Sequence, residues 1–311
     1  MKYQILKLHF QTDVHFGEGG LMTCANVLGA DTLYSALCIE ALRQDMSQLE
    51  ALHTMAENDR IRLSDALPFI GDRLYLPKPM LAIERSEEAS SVLKKAAKAL
   101  KYVPLDSWSS YLKGQMDIPK ENAFFNRSFG QFRLIEKASI NGQKEARPYS
   151  VQVFHYSEGS GLYICIGYDN DDDLGFVLDL LDSLQYSGLG GKVSSGYGRF
   201  EIRAVKANPH FVSLLETDQG PYMSISAGLP EENELEDVMD QAAYRLVKRS
   251  GFVASETYAD TFHKKKDIFL FAAGSVFQNK FDGSICDVSS GGGHPVYRYA
   301  KPLFVGVDPC Q

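Results

Sequence analysis

The stretch Asp171–Val205, DDDLGFVLDLLDSLQYSGLGGKVSSGYGRFEIRAV, decides the fold, because it holds a helix, a glycine loop and a strand in that order. Leu174, Val177, Leu178, Leu181 and Leu184 recur at helical spacing and make one apolar stripe. Asp172 or Asp173 can cap this helix, and Gly188 stands where a terminating glycine belongs. RFEIRAV, residues 199–205, reads as a strand. Between them GLGGKVSSGYG, Gly188–Gly198, carries five glycines in eleven residues. Glycine permits positive φ and close approach of a backbone to a ligand. Successive exposed N–H groups in such a loop form an anion nest, and Lys192 and Arg199 place full charges beside it. The plainer reading of the same residues is a flexible connector.

Two familiar phosphate loops do not fit. A Walker A loop needs a glycine where Tyr186 stands and Ser or Thr where Val193 stands. A dinucleotide fingerprint begun at Gly188 needs a glycine at Val193, and it should follow a strand and open a helix. Here the helix comes first. The loop better suits a polyanionic backbone lying across the sheet that its strand completes.

Working outward, Lys2–Gln11 alternates Tyr3, Ile5, Leu8 and Phe10 with polar residues and reads as a strand. It does not resemble the unbroken apolar segment of a signal peptide. A glycine turn follows (Gly17, Gly19, Gly20), then a helix from Asp31 to Gln44. VQVFHY at 151–156 and LYICIG at 162–167, joined by Ser157–Gly161, read as a β-hairpin. The order is βαββαβ, the ferredoxin-like arrangement, with a long insertion between the first helix and the hairpin. That insertion includes a helical piece at Ser90–Leu100 and a Pro-punctuated piece at Leu74–Pro79.

After Asn208–Pro209 the chain offers strands at YMSISA, Tyr244–Lys248, Asp267–Ala272 and Val296–Val307, and an acidic helix start at Glu231–Asp240. The expected class is therefore α+β, with two tandem ferredoxin-like (RRM-like) domains. Residues 1–208 form the first, with the insertion, and 209–311 a degenerate second copy.

The composition sets bounds. A chain of 311 residues, 44 % hydrophobic and 23 % charged, can bury a core and is not disordered throughout. No apolar run reaches the length of a membrane span. The five cysteines, Cys24, Cys38, Cys165, Cys286 and Cys310, contain no CxxC pair. That disfavours a disulfide framework or a zinc knuckle and fits a reducing cytoplasm. The net charge of −8 opposes indiscriminate nucleic-acid coating but allows a local basic groove. Residues 120–150 are such a local excess, with six cations, Lys120, Arg127, Arg133, Lys137, Lys144 and Arg147, against Glu121, Glu136 and Glu145. Phe124, Phe125, Phe129 and Phe132 are interleaved with them. The segment is either a solvated hairpin with inward aromatics or a basic arm whose aromatics stack on bases.

The opening strand with HFGEGG at His15–Gly20, the helix DTLYSALCIEA at Asp31–Ala41, GLGGKVSSGYGRF at 188–200 and HPVYRYAKPLFVGV at His294–Val307 carry a resemblance. The sequence resembles the RAMP superfamily of CRISPR interference complexes, and within it the fourth-subunit family of the Csm complex, the type III-A effector. The resemblance implies a non-catalytic RNA-binding subunit, without cofactor or metal, that grips the repeat-derived 5′ tag of the CRISPR RNA. It also implies that the chain caps the helical backbone of repeated Csm subunits and docks the large cyclase-like subunit. Target RNA would be met only indirectly. Carried onto this sequence, Gly188, Gly190, Gly191, Lys192, Ser194, Ser195, Gly196, Tyr197, Gly198 and Arg199 would hold the tag backbone. His15, Phe16 and Gly17 would lie near it, and Arg127, Arg133 and Arg147 would belong to a thumb-like hairpin separating guide from target.

Two other classes compete. A metal-independent endoribonuclease would use His15 as general acid or base. A purely structural scaffold would pack the glycine loop against a neighbouring subunit. Asp13 and Asp31 are the carboxylates to watch, Asp31 reading foremost as a helix cap. DNDDD at 169–173 fails the EF-hand pattern, with Leu174 at the glycine position, and reads as capping. The Glu231–Asp240 run reads as a solvated helix face, or as a docking surface for a basic partner. His294, ahead of Pro295, reads as ordering a turn or an interface.

Overall fold

The computed structural model describes residues 1–83, 91–139, 147–255, 257–261 and 263–307. Ser90, Lys144, Glu145 and Cys310, named above, lie outside these residues. The frame is an antiparallel sheet in which the opening strand Lys2–Phe10 runs between Phe200–Val205 and Ser160–Tyr168. Ile5 faces Cys165 on one side and Val205 on the other, and Phe10 faces Phe200. Beyond Ser160–Tyr168 lie Ile61–Leu63 and Leu67–Ile70, then Arg73–Pro77 and Tyr102–Pro104.

The helices Ala30–Gln44 and Asp171–Ser187 cover one face, each through its apolar stripe. The strand Ser160–Tyr168 shows why both faces are closed. Leu162, Ile164 and Ile166 point into the core under the helices, whereas Tyr163 and Cys165 point the other way. There they meet Trp108, Phe211, Met223, Ile225 and Val305. A polyanion therefore cannot lie across this sheet, contrary to expectation; the second face is filled by residues of 100–118 and of 211–307.

The expected hairpin of 151–156 with 162–167 is not formed. Arg147–Tyr156 pairs along its whole length with Gly130–Ser139, from Gly130↔Tyr156 to Ser139↔Arg147. The Ser160 hydroxyl donates to the carbonyls of Phe129 and Ser157, turning the chain out of this two-stranded arm and into the main sheet. The partner the sequence reading missed is the pair Ile61–Leu63 and Leu67–Ile70. Pro68 sits opposite Leu162 there, and proline inside a short run argues against a strand. The chain thus returns to the sheet soon after the first helices, and Arg73–Pro77 and Tyr102–Pro104 extend it further on the same side.

Asn208 caps the helix Pro209–Leu215 by accepting from the His210 amide. The rest of the chain makes a three-stranded sheet, Val276–Phe277, Tyr222–Ser224 and Phe304–Gly306, and the hairpins Leu246–Arg249 with Ile268–Phe271 and Ser284–Asp287 with Tyr297–Ala300. The strand expected over Val296–Val307 is broken at Lys301–Pro302 into two strands in different sheets. The acidic run yields only the short helix Leu235–Met239.

The closing segment ties the halves together. Arg298 donates to Asp31 at 2.5 Å, Arg249 approaches the same carboxylate at 3.2 Å, and Asp31 is fully buried. Asp31 is thus neither the cap, a place held by Gly29, nor an exposed catalyst. The Tyr299 hydroxyl accepts from the Leu63 amide, and Lys301 pairs with Asp59 at 2.9 Å. Beside them the Asp65 carboxylate accepts from the amides of Ala30 and Ala227, and desolvation pushes its pKa up to about 6.

Removing one partner of a buried ion pair leaves the other uncompensated and costs about 3–5 kcal/mol. Asp31→Ala is expected to lose that much in urea unfolding, and Arg249→Ala, whose side chain is partly exposed, clearly less. Because Asp65 holds its proton more tightly when folded, it contributes stability at low pH that is lost as pH rises from about 4 to about 6. Unfolding titrations of Asp65→Asn should lack that fall relative to the parent chain.

Candidate nucleic-acid interface

The glycine loop starts where the long helix ends. Asn170, not Asp172 or Asp173, caps that helix by accepting from the Asp173 amide, and Asp173 itself pairs with Arg60. At the far end Gly188, at φ +87°, closes it by donating to the Leu184 carbonyl. Leu189 is buried in the core, and its amide donates to the Gly198 carbonyl, which draws the loop into a closed bulb. Gly191 donates to the His15 carbonyl, Gly198 to the Asp13 carbonyl and Arg199 to the Thr12 hydroxyl. The loop is stitched to the segment that follows the opening strand.

These bonds correct the view of the loop as a run of naked amides. They also explain most of its glycines by packing. A Cβ on Gly190 would stand 2.8 Å from the Phe16 ring, one on Gly191 2.9 Å from the His15 ring, and one on Gly198 2.2 Å from the Leu189 carbonyl oxygen. Among the described residues, the amides of Gly190, Lys192, Val193, Ser194 and Tyr197 have no acceptor. Three of these are consecutive, and Lys192 is left-handed at φ +62°, so a small nest survives at the tip. Ser194, Ser195 and Arg199 are exposed around it.

His15 and Phe16 face inward. Phe16 is a core residue, and the buried His15 ring places Nδ1 2.7 Å from the Gln152 carbonyl. A carbonyl only accepts, so Nδ1 carries the hydrogen, and His15 fastens the arm to the loop. Gly17 is glycine because a Cβ there would press on the His15 ring at 3.2 Å. The three residues the resemblance placed at the RNA thus support the loop from beneath.

The arm reaches the loop through two reciprocal contacts. The Lys137 ammonium lies 4.1 Å from the centre of the Tyr197 ring, and the Lys192 ammonium 5.3 Å from that of Tyr149. Lys137 and Tyr149 are cross-strand partners, so one rung of the hairpin grips the loop from both sides. Arg133 shares that face by strand alternation, and Arg147 opposes Ser139 at the last described rung. Arg127 is exposed in the last turn of the helix Ile118–Ser128, and no contact joins it to the loop among the described residues.

Sequence reading passed over Tyr149, Gln152 and His155; the watched carboxylate Asp13 lies 2.7 Å from the His155 Nδ1 at the root of the arm. Their alternation within 147–156 was legible, but which neighbour that strand takes was not. Lys137, Lys192, Arg133, Arg147 and Arg199 form no ion pair with a carboxylate among the described residues. A protein of net charge −8 thus gathers five uncompensated cations on one loop and one arm. Such a surface carries a locally positive field.

The remaining candidates are structural. His294 bonds the Pro295 carbonyl and Ser255, ordering a turn. Among the described residues no cluster of His, Cys, Asp and Glu is arranged to hold a metal ion, and no helix is long and apolar enough to cross a membrane.

Comparison with known proteins agrees with this architecture. The RAMP superfamily profile matches residues 7–201, which hold the helix-backed sheet, the arm and the glycine loop. The profile of the CRISPR Csm4 C-terminal domain matches residues 217–307. The CRISPR system Cms protein Csm4 of Mycobacterium tuberculosis (strain H37Rv) is 42 % identical over 294 residues, covering 94 % of each chain. Its namesake in Streptococcus thermophilus is 34 % identical over 316 residues, covering 98 % of each. The chain belongs to the Csm4 family of RAMP proteins.

Among solved structures, a chain of the Csm3–Csm4 subcomplex in the type III-A CRISPR-Cas interference complex superposes with TM-score 0.69 at 18 % identity. The match covers 99 % of this chain and 100 % of that one. A Csm1–Csm4 cassette in complex with pppApA gives 0.62 at 19 %, covering 99 % and 98 %. At these identities the likeness concerns the fold.

The two glycines that differ most in surroundings test the stitched loop. Gly196 (φ +86°) has open space where a Cβ would go, so Gly196→Ala should cost only the backbone strain, about 1 kcal/mol. Gly198→Ala adds a clash with the Leu189 backbone and should cost clearly more in chemical denaturation. Equal losses would mean the bulb is not closed as described.

Proposed function

We propose that this chain is a non-catalytic RNA-binding subunit of a type III-A CRISPR complex, holding the repeat-derived 5′ tag of the CRISPR RNA on its glycine loop and arm. The observation that carries this reading is that five cations on the loop and the arm form no ion pair among the described residues, while the amides of Lys192, Val193 and Ser194 at the loop tip have no acceptor. Phosphates would bind at the loop tip, with Arg199 on one side and Arg133 and Arg147 along the arm. Bases would be read on splayed single-stranded nucleotides. The arm would part guide from target at the end of the tag, which brings target RNA to the chain only indirectly.

Family membership supports the wider assembly. The superposed chains come from a Csm3–Csm4 subcomplex in one structure and a Csm1–Csm4 cassette in another. On that basis the chain would cap the backbone of repeated subunits and dock the large cyclase-like subunit, in the cytoplasm and without a cofactor. Two units, 1–208 and 209–311, fit the two profile matches, which break between 201 and 217. The first carries the ferredoxin-like order with its insertion, and the second is a reduced copy. The endoribonuclease reading is disfavoured by the burial of the His15 side chain beneath the loop.

Each phosphate contact on a single strand contributes about 0.7 to the slope of log affinity against log salt. The double variant Lys192→Ala/Arg199→Ala should weaken retention of tag-bearing guide RNA and flatten that slope by about 1.4. Unchanged retention and an unchanged slope would refute the reading. Cleavage of repeat RNA by the isolated chain, abolished by His15→Ala, would establish the enzyme instead.

A further inference from the structure

We propose a second polyanion site, a groove between the N-terminal sheet region and the C-terminal hairpin, that takes a short single-stranded stretch of polynucleotide. The groove encloses about 790 Å³ and lies off the opposite face of the arm from the glycine loop. Phe132 lines it, and alternation along Gly130–Ser139 puts Phe132 on the other side of the strand from Lys137. This site goes beyond the tag reading, because nothing in its geometry requires the loop to be occupied.

Cations stand on two walls. Lys98 and Lys101 come from the insertion and Arg245 from the C-terminal hairpin. All three are exposed, and none forms an ion pair among the described residues. Arg249 lines the groove too, but Asp31 already holds it. Lys78 donates to the Ala97 carbonyl. Two carboxylates line the groove, the buried Asp65, which accepts from the amides of Ala30 and Ala227, and the exposed Glu18. The balance is positive in a protein whose total is −8.

Aromatic surface distinguishes the occupant. Phe132 is 49 % exposed yet held by an edge contact to Phe154 at 4.9 Å, so its ring presents a fixed face. Tyr102, also in the lining, stacks on Phe125 at 5.6 Å. Charged grooves with rigid rings suit single-stranded nucleic acid, where phosphates meet the cations and bases stack. An acidic peptide would use the cations and leave the rings idle.

The test uses the full chain already carrying Lys192→Ala/Arg199→Ala, so that the remaining binding reports on the groove. A fluorescent oligouridylate of about ten nucleotides, within the range such sites cover, is titrated at several salt concentrations. Adding Lys101→Gln/Arg245→Gln should weaken binding and flatten the salt slope by about a further 1.4. Phe132→Ala should weaken it with the slope unchanged. Both lysine and arginine are exposed, so the unfolding midpoint serves as the folding control; should it fall, Lys98→Gln alone is read and should flatten the slope by about 0.7. An unchanged affinity and slope would overturn the proposal, as would polyglutamate competing as well as the oligonucleotide. Loss of tag retention in the loop variant alone, with the groove substitutions silent, would uphold the loop reading and refute this one.

Discussion

Asp31 is a carboxylate without access to water, and the join between the two halves depends on it. It sits in the first turn of the helix Ala30–Gln44, and its partners Arg298 and Arg249 come from two different C-terminal hairpins. Three parts of the chain meet there. Both hairpins are fixed against the helix, which itself packs on the sheet. The cluster is costly. Burial, reinforced by repulsion from Arg298, pushes the neighbouring Lys265 ammonium down to about 8. A charged join demands one geometry, because no sliding alternative satisfies the same carboxylate.

Much of the N-terminal frame was legible in the sequence. The stripe Leu174–Leu184 and the terminating Gly188 located the long helix, and the alternation of Lys2–Phe10 located the strand beside it. What failed was pairing. Arg147–Tyr156 looked like the partner of Ser160–Tyr168 because a Gly/Ser turn joins them, and adjacency in sequence is the usual guide. The true neighbours, Ile61–Leu63 and Leu67–Ile70, are too short for a periodic signal, and Pro68 conceals one of them.

The glycine loop was legible in the sequence, but the way it is built was not. Glycine density pointed to the loop, yet those glycines chiefly let Phe16, His15 and Leu189 come close. The counter-surface on the arm was invisible in one dimension, since Lys137 with Tyr197 and Lys192 with Tyr149 are matched only once the hairpin register is known. Local charge told more than net charge. The acidic total belongs largely to other parts of the surface, while the loop and arm keep their cations free.

The main sheet has no open face. Domains of related topology commonly offer the exposed side of the sheet to a ligand. Here that side is spent on internal packing by Tyr163, Cys165, Phe211 and Ile225. Whatever this chain recognises must be met at its rim, by connections whose length and sequence can change without disturbing a single interior contact. Specificity on such a scaffold can drift quickly while the interior stays put.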